Sequence, residues 1–67
     1  MSIIKSKRIE KKLRVIDIAK KLNVTKQTCY NWEKQTNEPS IEQIVNLAKV
    51  LGISPTTIFN DFATLYK

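Results

Sequence analysis

Between residues 24 and 34 the chain reads VTKQTCYNWEK, and five of these side chains can recognise a ligand by hydrogen bonding: Lys26, Gln27, Tyr30, Asn31 and Lys34. On a helix turning about 100° per residue, they fall within an arc of about 140°. Thr28, Cys29 and Trp32 gather within about 100° on the opposite side. Amides and amines at this spacing suit recognition of a polar edge. Gln and Asn can bond the N6/N7 edge of adenine, and Lys can reach guanine O6/N7. A tyrosine can pack on a thymine methyl or bond a phosphate through its hydroxyl. The plainer alternative is a solvated helix face, with Trp32 anchoring its reverse side.

The rest of the composition narrows the chemistry. With 67 residues, the chain has room for one domain, residues 1–67, whose stability is limited by its small buried fraction. There is no histidine and one cysteine, Cys29. A Cys–His nucleophile pair and a zinc site are therefore both unavailable. One glycine, Gly52, cannot make a Gly-rich phosphate loop. No cofactor, metal or small-molecule ligand is implied, and the expectation is that the protein is not an enzyme. MSIIKSKRIE lacks the apolar core of a signal segment, and no apolar run approaches a membrane span of ~18 residues. With a single thiol, this predicts a cytoplasmic protein.

The net charge is +6, and all of it lies in residues 1–38, where ten Lys/Arg face four acids. Residues 39–67 are neutral. A basic half of this kind predicts a polyanionic partner.

The elements that must carry these residues all read as helices. A first helix is predicted from Ser2 to about Lys12. A second starts near Val15, buries Ile18, Ala19 and Leu22, and ends at Asn23, a residue tolerant of the left-handed backbone. Thr25 is suited to cap a third helix, Lys26 to about Lys34. KQTNEPS is a polar loop. Ser40 and Gln43 fit a capping box, followed by an apolar stripe of Ile41, Ile44, Leu47, Ala48 and Leu51 that stops at Gly52. Ser54-Pro55 starts a fifth helix running to about Leu65. Two short helices joined by three residues, the second polar outside, make a helix-turn-helix spanning about residues 15–34. Such a unit places its second helix in the DNA major groove.

These residues carry a resemblance. IDIAKKLNVTKQTCYNWEKQTNEPSIEQIVNLAKVLGIS, preceded by IKSKRIEKKL, resembles the helix-turn-helix family of lambdoid phage repressors and Cro proteins, the Xre-like regulators. The likeness covers about residues 4–59 and implies an all-α, compact five-helix lambda-repressor-like domain that binds double-stranded DNA. It implies base reading by Lys26, Gln27, Tyr30 and Asn31. It places Arg14, Thr25, Thr28, Lys34, Thr36 and Asn37 at or near the DNA backbone. It further implies a salt bridge between Arg8 and Glu33.

The family favours glycine or a small polar residue where this chain has Lys12, Asn23 and Gln35. Lys12 and Gln35 accept a left-handed backbone reluctantly, which predicts a third helix running past Lys34 or a different loop path. Val15 stands where a phosphate-binding Gln is common, leaving Arg14 to compensate.

Near the C-terminus, Ile58, Phe59, Phe62, Leu65 and Tyr66 share an arc of roughly 120°. Ile58 and Phe62 are expected to close the core. Phe59, Leu65 and Tyr66 are the surplus, and apolar surplus predicts a homodimer interface. The function implied is a sequence-specific transcriptional regulator, a dimeric repressor on an inverted-repeat operator. The alternative is a helix-turn-helix interaction module, an antitoxin or adaptor, for which DNA is secondary. Membrane binding is disfavoured, because the basic residues are spread over helices whose apolar faces are needed for the core.

Overall fold

A computed structural model describes residues 2–63, and the regular elements among them are five helices. They are α1 (Ile3–Glu10), α2 (Val15–Leu22), α3 (Lys26–Glu33), α4 (Ile41–Leu51) and α5 (Pro55–Ala63). Leu65 and Tyr66 lie outside the described residues.

Three of the first four helices start at a hydroxyl residue that satisfies an orphan N–H. Ser2 Oγ accepts from the Lys5 N–H at 3.2 Å, and Thr25 Oγ1 from the Thr28 N–H at 3.1 Å. Ser40 and Gln43 form the reciprocal capping box, with distances of 2.8 and 3.2 Å. At α2 the capping group is a carboxylate: Asp17 Oδ2 accepts from the Arg14 N–H at 2.8 Å.

The helix ends share one geometry. α1, α2, α3 and α4 are each followed by a left-handed residue, at Lys12 (φ 59), Asn23 (φ 57), Gln35 (φ 61) and Gly52 (φ 69). The next residue turns its N–H back five positions: Leu13 to Arg8, Val24 to Ala19, Thr36 to Asn31 and Ile53 to Ala48, at 2.9–3.0 Å. This is the Schellman motif, which normally favours glycine at the left-handed position.

The first helix therefore stops short of Lys12, and the third stops at Glu33 instead of running on. Three of the four closing residues explain why the strain is tolerated. Leu13, Val24 and Ile53 pack against the core, so burial holds each turn shut. Thr36 is exposed and contributes no such anchor. There the Gln35 side chain supplies it, donating to Asp61 Oδ2 on α5 at 2.9 Å. The same oxygen accepts the Ile3 N–H at 3.2 Å, so α1, α5 and the α3–α4 loop meet at one carboxylate.

The core lies where all five helices converge, with Trp32, Ile4, Ile18, Leu47, Leu51 and Ile58 its largest fully buried side chains. Ile58 and Phe62 do close it, at 0% and 3% exposure, whereas Phe59 is 59% exposed. Ile41 departs from the expected stripe: it is 80% exposed. As the first residue of α4, its side chain leans toward the helix N-terminus, past the end of the core.

Candidate nucleic-acid interface

The interface is built on α3, whose reverse side is fixed in the core by Cys29 and Trp32, each 2% exposed. Burial pushes the Cys29 thiol up from its ordinary pKa, with the Glu33 charge adding to the effect, so the group stays a neutral core side chain. Filling one face of an eight-residue helix with a buried indole fixes which residues point out. Lys26, Gln27, Tyr30 and Lys34 are exposed and Asn31 is half-buried.

Two of these residues are already arranged with respect to each other. Gln27 Nε2 donates to Asn31 Oδ1 at 3.0 Å across one helical turn. The bond leaves Gln27 with its carbonyl oxygen and one N–H unused, the pair of groups a bidentate contact with adenine requires. It also restricts two side chains that would otherwise lose rotamer freedom on binding.

At the start of α3, Thr25 and Thr28 hydroxyls lie 2.9 Å apart beside the cap. Arg14 stands at the start of α2, its guanidinium 78% exposed and paired to Asp17 at 3.1 Å. That hydrogen-bonded pairing holds the Asp17 carboxyl below the usual range and raises the Arg14 pKa. Past the other end of α3, Lys34, Thr36 and Asn37 are all exposed. Lys26, Gln27, Tyr30 and Asn31 thus lie on α3, with Thr25 before it and Lys34, Thr36 and Asn37 after it, whereas Arg14 stands on a different element, at the start of α2.

What holds that helix at its angle is an ion pair to α1. Arg8 Nε donates to Glu33 Oε2 at 2.7 Å and its terminal nitrogen to Oε1 at 3.2 Å, with the side chains 15% and 5% exposed. The third arm of the guanidinium donates to the Leu13 carbonyl at 3.1 Å. The hydrogen bonds to Glu33 raise the Arg8 pKa against the opposing effect of desolvation. Such a two-pronged pair gives geometry as well as energy.

Two features went unread in the sequence. Lys5 lines a cavity beside Tyr30; only its place one helical turn before Ile9 and next to Arg8's row hinted at a neighbour across helices. Ile41 and Val45 join Phe59 on an apolar face between α4 and α5. The signal for that face was their four-residue spacing, which was hidden because Ile41 also fits the core stripe.

A helix-turn-helix family model matches residues 4–58, which take in α1 through α4 and the start of α5. The chain belongs to this family of Cro-type, Xre-like helix-turn-helix proteins, with the lambda-repressor-like all-α fold. It is a DNA-binding helix-turn-helix transcription regulator. No curated protein and no solved structure gives a significant match. No described helix is long and apolar enough to cross a membrane.

Proposed function

We propose that the protein is a sequence-specific repressor that binds an inverted-repeat operator as a homodimer and acts by occupying a promoter. The observation that carries this reading is the outer face of α3, where an amide pair stands beside Lys26 and Tyr30 on a helix immobilised from behind. Lys26, Gln27, Tyr30 and Asn31 are the base-edge contacts. Arg14, Thr25, Thr28, Lys34, Thr36 and Asn37 meet the backbone and set the register. Most of the affinity then comes from phosphate neutralisation and falls steeply with salt.

The dimer contact in this reading is the α4–α5 face. Two hollows of about 210 and 250 Å³ share Ile41, Ile44 and Phe59 in their walls. Phe59 was expected at an interface, and Ile41 and Val45 extend the same surface. A two-fold dimer through it places two α3 helices for half-sites one turn apart, about 34 Å.

Selection of bound duplexes from a random pool at moderate salt tests the reading. Enrichment of an inverted repeat with half-sites about one helical turn apart supports it. A pool that never enriches removes it and turns attention to a protein partner.

A further inference from the structure

α1 packs against α3, and between them lies a cavity of about 120 Å³ lined by Lys5, Arg8, Tyr30, Glu33 and Lys34. Its walls carry three cations against one carboxylate. That carboxylate is already spent, since both Glu33 oxygens accept from Arg8. Arg8 in turn has its arms on Glu33 and the Leu13 carbonyl. Lys5 and Lys34 form no ion pair among the described residues, and both are exposed.

The walls therefore include two lysines and a tyrosine whose hydroxyl can donate, beside an Arg8–Glu33 pair that is already neutralised. An anion with several acceptor oxygens matches that donor set. Two of its wall residues, Tyr30 and Lys34, belong to the same stretch as Gln27 and Asn31, so the cavity borders the face that carries the amide pair.

Resting on the DNA-binding reading, we propose that Lys5, Tyr30 and Lys34 form a seat for one DNA phosphate between α1 and α3. Lys5 becomes a DNA-positioning residue on the first helix. Tyr30, grouped with the base-edge contacts in the proposed function, is in this seat moved to the backbone, which it meets through its hydroxyl without reading a base. The seat is coupled to the frame of the site: the Arg8–Glu33 pair that fixes α3 against α1 also sets the spacing of the two lysines.

The test uses a duplex that the wild-type protein binds, with single phosphates replaced in turn by uncharged methylphosphonate. One phosphate per half-site should weaken the wild type roughly tenfold when neutralised, and should cost Lys5→Gln distinctly less, because only Lys34 and Tyr30 then still meet it. Lys5→Gln should also reduce the slope of log K against log salt by about one, on specific and random duplexes alike. Tyr30→Phe should weaken binding without altering which bases are selected. Losses that add at every phosphate, or a changed base preference in Tyr30→Phe, overturn the seat while leaving the DNA reading intact. A wild-type protein that binds no duplex overturns both.

Discussion

The outer face of α3 and the α4–α5 face are built on the same core but finished in opposite ways. On α3, Cys29 and Trp32 are buried and the outward residues are amides, lysines and a tyrosine. On α4 and α5, Leu47, Leu51 and Ile58 are buried and the outward residues are Ile41, Val45 and Phe59. The charge follows the same division, with the whole +6 in residues 1–38 and none beyond. Two copies meeting through their N-terminal parts would bring like charges together. Meeting through the neutral part keeps those charges apart until DNA neutralises them. In the proposed dimer, a small domain separates the surface for a polyanion from the surface for a second copy by the two ends of its sequence.

The comparison breaks most severely if α3 loses its frame. Glu33→Gln strands the Arg8 guanidinium at 15% exposure, and removing one partner of such a pair costs about 3–5 kcal/mol. A chain of this size has roughly 3–10 kcal/mol in total, by the usual per-residue scale. Glu33→Gln should therefore melt far below the wild type. Changing both partners, Arg8→Met with Glu33→Leu, should recover much of the loss by leaving no charge unpaired. Unchanged midpoints in Glu33→Gln and Arg8→Met would mean the pair supplies geometry and no stability.

The next effect separates the two faces. Ile41→Lys touches a residue 80% exposed, so the monomer should fold as before. In a two-fold dimer the change is felt twice, at about 1.5–3 kcal/mol for each buried isoleucine. Self-association measured by sedimentation should fall by at least about a hundredfold, with the base preference of the remaining binding unchanged. A wild-type protein that stays monomeric at high micromolar concentration removes the self-association surface altogether.

Smaller still is the division of labour between the α3 face and the start of α2. Gln27→Ala removes the proposed base contact, worth about 1–3 kcal/mol of discrimination, and frees the Asn31 amide to which Gln27 donates. Base preference should relax at one or two positions of the selected site. Arg14→Ala should weaken all duplexes about equally and lower the salt slope. Identical behaviour of the two variants would show that reading and positioning are not divided this way.

The helices and their caps were legible because each depends on a few neighbouring residues: Thr25 before α3, Ser40 with Gln43, Gly52 after α4. The family resemblance was legible for the same reason, since its features sit at fixed spacings. What the sequence concealed depends on partners far along the chain. Asp61 serves both Ile3 and Gln35 from 58 and 26 residues away, and no local pattern announces it. Ile41 fits the buried stripe by its spacing and is exposed only because the core ends before it. Lys5 enters the candidate site because α1 packs on α3, a fact of tertiary geometry. The end of α3 near Lys34 was legible, but the continuation past it or the different loop path was expected on propensity and does not occur. The reluctance of Gln35 to go left-handed is real, and its side-chain bond to Asp61 offsets part of it.

That last point separates two residues with nearly the same backbone. Lys12 and Gln35 have φ of 59 and 61, and both follow a helix as the left-handed residue of a Schellman turn. Lys12 is exposed and forms no ion pair among the described residues, so its side chain contributes nothing to hold the turn. Lys12→Gly should relieve a left-handed cost of about 1–2 kcal/mol, against about 0.4–1 kcal/mol of added freedom in the unfolded chain. The net expectation is a gain of a few tenths to about 1 kcal/mol, read from the urea midpoint. Gln35→Gly relieves the same strain but loses the bond to Asp61, worth about 0.5–1.5 kcal/mol, and leaves Thr36 with no anchor in its place. It should be neutral to destabilising. If both glycine variants stabilise equally, the Gln35–Asp61 bond does not hold the turn, and the short α3 has to be explained by the core packing of Trp32 alone.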